Sequence, residues 1–482
     1  MQNTENFCLG LWGIDCFRSR ALDNYVMGLC SSPSLRSPVE ITNSPFCHYT
    51  YSNLTKVLHF SDLTREKIIR HLSAYIPPAQ VLSNGQSYYH LSHDFTTLLK
   101  PHSACLPGRG YVVTANPVAQ NISLSAGYAV SALHLNVPCA APLLLEKLDV
   151  SEDKTAAVLD QIKAVMTHSE LPFQDFLTLF TADSAYGKAS IISPLYDDYQ
   201  NMVCILRMRA GMKVWTAYRG EQARTGTKRI YGEKYYLRPE SKHCKDAKSG
   251  KETIQIGIGT LAADQVDSYP MTMKNGRAVI VSVKRWNNML IRSKGTAKMK
   301  DKPIDILHVS IIDAQSQVLV FNRPMFLAVT GKQKSGISSQ EAQQGYRGRF
   351  DVEGAYRFMK QNLLMGKLQS PDIEHQDNWL KITQLSYWLL AVAAEEIQDI
   401  NIPVWQKYLK SNKCQEQDPN KKRRATLSQT QKSIASLFYT FDQTPFLPQK
   451  CKKGKGRQEG AKLTPRNKHP IVKKSEKKVL KS

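Results

Sequence analysis

The feature that most constrains the fold is a change of texture at Ser87. From there three β-rich runs follow one another, SYYHLSHDF, GRGYVV and ISLSAGYAVSALHLN, separated by Pro and Gly turn signals. They predict an antiparallel meander. Then DKTAAVLDQIKAVMTHS sets Ala157, Leu159, Ile162, Val165 and Met166 near helical spacing, and FLTLFTAD reads as a buried strand ending at Asp183. KASIISPLYDDYQ predicts a helix interrupted by Pro194, and MVCILRMR is a continuous apolar run suited to a central strand. The order βββ-α-β-α-β predicts an α/β fold.

A chain of 482 residues exceeds one hydrophobic core, so other modules are expected around this one. Residues 1–80 carry helical patterns (ALDNYVMGL, TREKIIRHLSAYI) and a Ser/Pro-rich linker, which predict a small helical N-terminal module. Residues 210–335 hold short β-like runs (TIQIGIGTL, AVIVSVKRW, ILHVSIID, QVLVFN, MFLAVT) and predict a β-rich insertion between 85–209 and a helical stretch over 336–410.

Charge separates the last segment from the rest. The chain has 65 Lys and Arg against 41 Asp and Glu, a formal charge of +24, and residues 413–482 hold 19 of those cations against five acids. A segment so polar cannot bury enough apolar area to offset its chain entropy, so most of this basic tail is expected to be disordered when free, TQKSIASLFYTF being the helical exception. KKRR (421–424) and CKKGKGR (451–457) suit a DNA-binding arm or a nuclear import signal. A basic balance favours phosphate-backbone partners, although other polyanion binders share it.

The ten cysteines are scattered, with no CxxC pair or zinc-ligand spacing, and read as reduced and structural. The first twenty residues lack a signal-peptide pattern, and apolar runs such as WLLAVAA fall short of the ~20 residues a bilayer span needs, so a soluble protein without a membrane partner is expected.

The stretch with most chemistry is GYRGRFDVEGAYRFMKQ. Tyr346, Arg349, Glu353 and Lys360 stand at offsets of 0, 3, 7 and 14, hence at about 0°, −60°, −20° and −40° around a helix, with Val352, Ala355, Phe358 and Met359 opposite. Ser338 and Glu341 form a capping-box pattern just before it. A carboxylate flanked by cations and a phenol suits phosphodiester chemistry: Glu353 to hold a metal ion, Arg349 and Lys360 to grip phosphates, Tyr346 to donate to another. An ordinary solvated helix face carries charges at the same spacing.

This stretch resembles the Tyr-x2-Arg-x3-Glu-x6-Lys signature of the insertion-sequence DDE transposases, the insertion-sequence-four-like group of bacteria. The resemblance covers roughly residues 85–400 and implies an RNase H-like core, a mixed sheet with flanking helices, interrupted by a β-rich insertion. It implies a first aspartate on the first strand and a second after the fourth, which Asp94 and Asp183 match, and Glu353 as the third acid. Two departures stand out: Asp94 precedes Phe95-Thr96 where Asp-Thr is usual, and Phe350 replaces the usual Trp after the signature arginine. The implied activity is cut-and-paste transposition. Two Mg²⁺ or Mn²⁺ ions held by Asp94, Asp183 and Glu353 would serve cleavage at element ends and strand transfer into target DNA. The implied partners are double-stranded DNA, as terminal inverted repeats and target, with the helical module over residues 1–80 expected to bind DNA, and a second copy of the chain on paired ends. The implied location is the bacterial cytoplasm at the nucleoid.

Other residues compete with this set. Trp286 (VKRWNN) and Trp215 (MKVWTAYR) lie among cations in the insertion and suit stacking on an extruded base, or a half-buried strand position. Asp305 and the Asp197-Asp198 pair are alternative acids in less suitable contexts. His90, His93 and His134 fall on strands near the proposed site, His93 being the one beside an acid. The rival readings are a non-catalytic DNA-binding protein derived from a transposase and a structure-specific RNase H-like nuclease, which uses the same acids to cut without joining.

Overall fold

The computed structural model describes residues 2–14, 21–114, 123–136, 139–245, 252–273, 275–293, 297–397, 425–441, 460 and 465–473. In chain order the helices α1 (Gln2–Ile14), α2 (Ala21–Cys30), α3 (Tyr51–Phe60) and α4 (Arg65–Ser73) precede the strands β1 (Gln80–Val81), β2 (Ser87–Leu99), β3 (Gly110–Thr114), β4 (Ser123–Leu135) and β5 (Ala141–Leu148). Then come α5 (Lys154–Met166), β6 (Leu177–Ala182), α6 (Ala189–Asp198) and β7 (Met202–Met208). The β-rich segment supplies β8 (Lys213–Ala217), β9 (Tyr231–Tyr236), β10 (Lys242–Lys245), β11 (Glu252–Gln255), β12 (Gln265–Thr272), β13 (Ala278–Met289), β14 (Ile304–Asp313) and β15 (Met325–Thr330). The chain closes with α7 (Ser339–Gly348), α8 (Asp351–Gln361), α9 (Ile373–Glu396) and α10 (Leu427–Phe441).

Eleven strands make one mixed sheet in the order β12-β13-β14-β15-β7-β6-β2-β4-β3, with β1 on β2 and β5 on β4. β2, β6 and β7 run parallel at its centre, and their apolar runs are buried on both faces, as a covered parallel sheet requires. The expected meander is corrected in two ways. β4 pairs directly with β2, and its 13 residues are long enough for β3 and β5 to share its other edge end to end. β5 itself escaped the sequence reading, because APLLLEKL starts beside prolines and does not alternate. The β-rich segment does not stand apart, since β12 to β15 extend the sheet from β7, while β8-β9 and β10-β11 form two small hairpins. QVLVFN is no strand: it meets β14 only through the bridge Ile312–Leu319, leaving Val318 and Phe321 exposed.

Helices cover both faces of the sheet. Along β2, period-two alternation sends His93 and Phe95 to the face carrying α5, and Asp94 and Thr96 to the face carrying α8. Helix starts follow local chemistry: Asp153 accepts from Thr155 N–H at 2.9 Å to cap α5, and Ser338 and Glu341 form the expected capping box on α7.

α9 is buried nearly all round over Trp379–Ala394, the mark of a central helix rather than a surface one. α1, α2, α3 and α10 pack on it, together with β5. Polar staples fix its position. Trp388 Nε1 donates to Pro142 O at 2.7 Å, Asn378 Nδ2 donates to Leu58 O and Ser61 O, and the Asn3 N–H donates to Glu396 at 2.8 Å. Each buried aromatic of this helix removes roughly 150–250 Å² from water, about 4–6 kcal/mol before entropy is counted.

The helix expected near TQKSIASLFYTF is α10, and it belongs to the core: Ile434 and Phe438 are fully buried and Phe438 meets Phe46 edge-on at 5.1 Å. Residues 465–473 also dock, with Val472 bridging Gly110 and His469 N–H donating to Ala104 O. KKRR, CKKGKGR and most of the basic tail lie outside the described residues. No disulfide forms among the described cysteines, and no described helix is long and apolar enough to cross a membrane.

Candidate functional site

Asp94 sits mid-strand in β2, not at a strand end, with five further residues to Leu99. The β2-β6 register pairs His93 with Ala182, so Asp183, the residue after β6, emerges beside Asp94 on the neighbouring strand. Both acids are half-buried, and Glu353 on the first turn of α8 completes the set with its side chain 55% exposed.

The two helices that carry the signature do not form one continuous rod. α7 ends at Gly348 and α8 begins at Asp351, and between them N–H groups of Arg349, Phe350, Val352 and Glu353 bond three residues back rather than four. Gly348 permits the close approach there, since a Cβ would stand 3.1 Å from the His90 ring. The tightened turn rolls the first half of the stripe inward. Tyr346 is 1% exposed and Arg349 4%, so neither can grip a phosphate in this arrangement, which corrects the expected roles.

What Arg349 does instead is span two of the acids. Its Nη1 lies 3.2 Å from Asp94 Oδ2 and its Nη2 3.6 Å from Glu353 Oε1. Lys360 turns to the same strand and donates to Thr96 Oγ1 at 2.5 Å, with burial lowering its pKa. Burial raises the Asp94 carboxyl pKa from its ordinary value, Arg349 and the Phe95 N–H oppose this, and the negative charges of Asp183 and Glu353 push it up further. The three carboxylates therefore sense one another. They are nevertheless open: among the described residues only His59, Asp372 and His375 bring three ligand atoms within 4.8 Å of one another.

Tyr356, missed by the sequence reading, donates its hydroxyl to the Asp94 carbonyl at 2.7 Å and fixes α8 over β2. Ten residues after Tyr346, it lies at about −80° on the same helical stripe, so the signal was present. Tyr356→Phe is expected to cost about 1 kcal/mol and to lower Tm by about 2 °C; an unchanged melting curve would show that this hydrogen bond contributes nothing.

The remaining candidates are accounted for by packing. His93, sequence neighbour of Asp94, faces the other way, with Nδ1 2.7 Å from Tyr186 Oη and Nε2 2.8 Å from Ser131 Oγ, and burial pushes its pKa down to about 3. His90 contacts Thr181 Oγ1 at 2.9 Å, and His134 lies edge-on to Tyr356. Trp286 is 1% exposed with Nε1 donating to Leu261 O at 3.0 Å, so it offers no face to a base and the stacking role is withdrawn. Trp215 is half-buried against Tyr231. Asp305 is a buried structural acid held by Arg285 and Lys334, and Asp197 pairs with Lys302 at 3.1 Å.

No protein-family model and no curated protein matches the chain. Among solved structures, a piggyBac transposase synaptic complex with hairpin DNA is similar over 85% of this chain and 75% of that chain, at 10% identity and a TM-score of 0.28.

Proposed function

We propose that this chain is a DDE transposase that cuts DNA at the ends of its element and joins them to a target. What supports the reading is that Asp94 and Asp183 lie on and just after adjacent parallel strands, and that Arg349 lies between Asp94 and Glu353. The sheet order supports an RNase H-like core: with β3 taken as an edge addition, β2, β4, β5 and β6 are its first four strands and Asp183 follows the fourth.

The donor set fits two Mg²⁺ or Mn²⁺ ions, because all three ligands are hard carboxylate oxygens whose mutual repulsion a divalent cation would relieve. When bound, such ions activate the attacking oxygen and stabilise the leaving one. Arg349 holds Asp94 and Glu353 in place, while Tyr356 and Lys360 pin the helix that carries Glu353 to β2. Phosphate contacts are assigned to exposed cations that follow the acids in sequence, Lys188 five residues after Asp183 and Arg357 one turn after Glu353. The protein acts as a homodimer on paired ends.

The test is incubation of the full-length protein and Mg²⁺ with linear DNA carrying the sequences that flank its own gene, scored for end cleavage and for joining into a plasmid. Cleavage with joining is expected. Cleavage alone would make it a nuclease, and binding without either would make it a non-catalytic DNA-binding protein.

A further inference from the structure

His59 ends α3, and Asp372 and His375 open α9, far later in the chain. Their ligand atoms all lie within 4.8 Å of one another: His59 Nδ1 is 3.9 Å and His375 Nε2 3.7 Å from the same oxygen, Asp372 Oδ2. The two rings stand 5.6 Å apart at 84°, as imidazoles converging on one point from different helices do. Two of the three ligands are already oriented by a second contact. Asp372 Oδ1 accepts the Glu374 N–H at 2.9 Å, which leaves Oδ2 to face the imidazoles. His375 Nδ1 lies 2.8 Å from Ser370 Oγ, so the ring can donate there and present a lone pair at Nε2. That Nε2 is buried and has no hydrogen-bond partner among the described residues. Asn378 brackets His59 by donating to Leu58 O and Ser61 O, holding the end of α3 against α9.

We infer that His59, Asp372 and His375 form a Zn²⁺ site that cross-braces α3 to α9. Two imidazoles and one carboxylate are a zinc donor set, and imidazole selects Zn²⁺ over Mg²⁺. Tetrahedral zinc ligands sit about 3.3 Å apart, so the two histidine–carboxylate spacings need to contract by about half an ångström. Glu374 Oε2 lies 4.0 Å from His59 Nδ1 but outside the cluster of three, so the fourth position is left to solvent. The site is separate from the carboxylate centre and does not depend on the proposed DNA chemistry.

The test titrates Zn²⁺ into chelator-stripped full-length protein, in excess Mg²⁺ and against a chromophoric competitor, and follows Tm. One equivalent of Zn²⁺ and a rise of about 3 °C are expected. His59→Ala, at a solvent-facing position, and His375→Gln should each lose the equivalent and the rise while keeping the metal-free Tm. Asp94→Asn should keep both. Co²⁺ should give the visible bands of tetrahedral coordination in the parent protein and not in either histidine variant. Zn²⁺ uptake by His59→Ala and His375→Gln equal to that of the parent, or no uptake by the parent, would overturn the assignment.

Discussion

Glu353→Gln is expected to lower Mg²⁺-dependent strand cleavage by at least about 10³-fold while duplex affinity stays within about twofold. Glu353 is the most exposed of the three acids and lies on the first turn of α8. The amide has the same shape, and Tyr356 and Lys360 still hold α8 to β2, so helix and strand keep their relation and only the charge is lost. A metal ligand has to be an anion here, whereas the DNA contacts proposed for Lys188 and Arg357 do not pass through this side chain. Cleavage assays and band-shift titrations on the same preparation separate the two quantities. Retained cleavage would remove Glu353 from the site; lost binding would mean that the acid serves the fold or the duplex instead of a metal ion.

The second large effect is acid sensitivity well above the carboxylate range. Burial pushes His90 down to about 4, and His93 and His134 down to about 3. The unfolded chain takes up these protons near pH 6.5 and the folded chain does not. Stability is therefore full above pH 6.5 and is lost progressively as pH falls toward 3–4, by about 1.4 kcal/mol per unit for each histidine. At pH 5 the three together cost about 6 kcal/mol, comparable with the whole stability of many domains. Urea midpoints measured from pH 7.5 to 5.0 should fall steeply. His71 and His308, held down to about 4 by burial, add to the same slope, so His134→Phe should remove about a fifth of it. Midpoints that stay level across this range would show that the histidines are not held neutral by the fold.

Legibility in the sequence followed the range of the interactions. FLTLFTAD ends where its apolar run ends, so Asp183 was placed by local pattern alone, and Glu353 by a helical stripe. Asp94 was found on the right strand, but its position along that strand depended on how far β4 could pair with it. His93 misled because nearness along a strand is opposition across it, and neither residue records which face meets α5. The turn at Arg349 was hidden by a stripe that stays in phase across it. Gly348 was the one local hint, and its reason, the His90 ring on β2, is 258 residues away. Trp286 has basic neighbours in sequence, yet its environment is set by Leu261 from another loop. Patterns within a dozen residues were readable. Contacts made by sheet neighbours were not.

The embrace of α9 by both ends of the described chain has a consequence for biosynthesis. Asn3 and Thr4 donate to Glu396, 393 and 392 residues later, and α1, α2 and α3 rest on a helix that leaves the ribosome only after the whole sheet. At roughly 5–20 residues per second, the N-terminal helices wait on the order of 20–80 s for their partner. Throughout that interval α1, α2 and α3 lack the helix on which they pack in the finished protein. Nascent chains stalled before residue 373 should therefore engage chaperones through their first 60 residues, and the protein should complete its fold after release rather than domain by domain during synthesis.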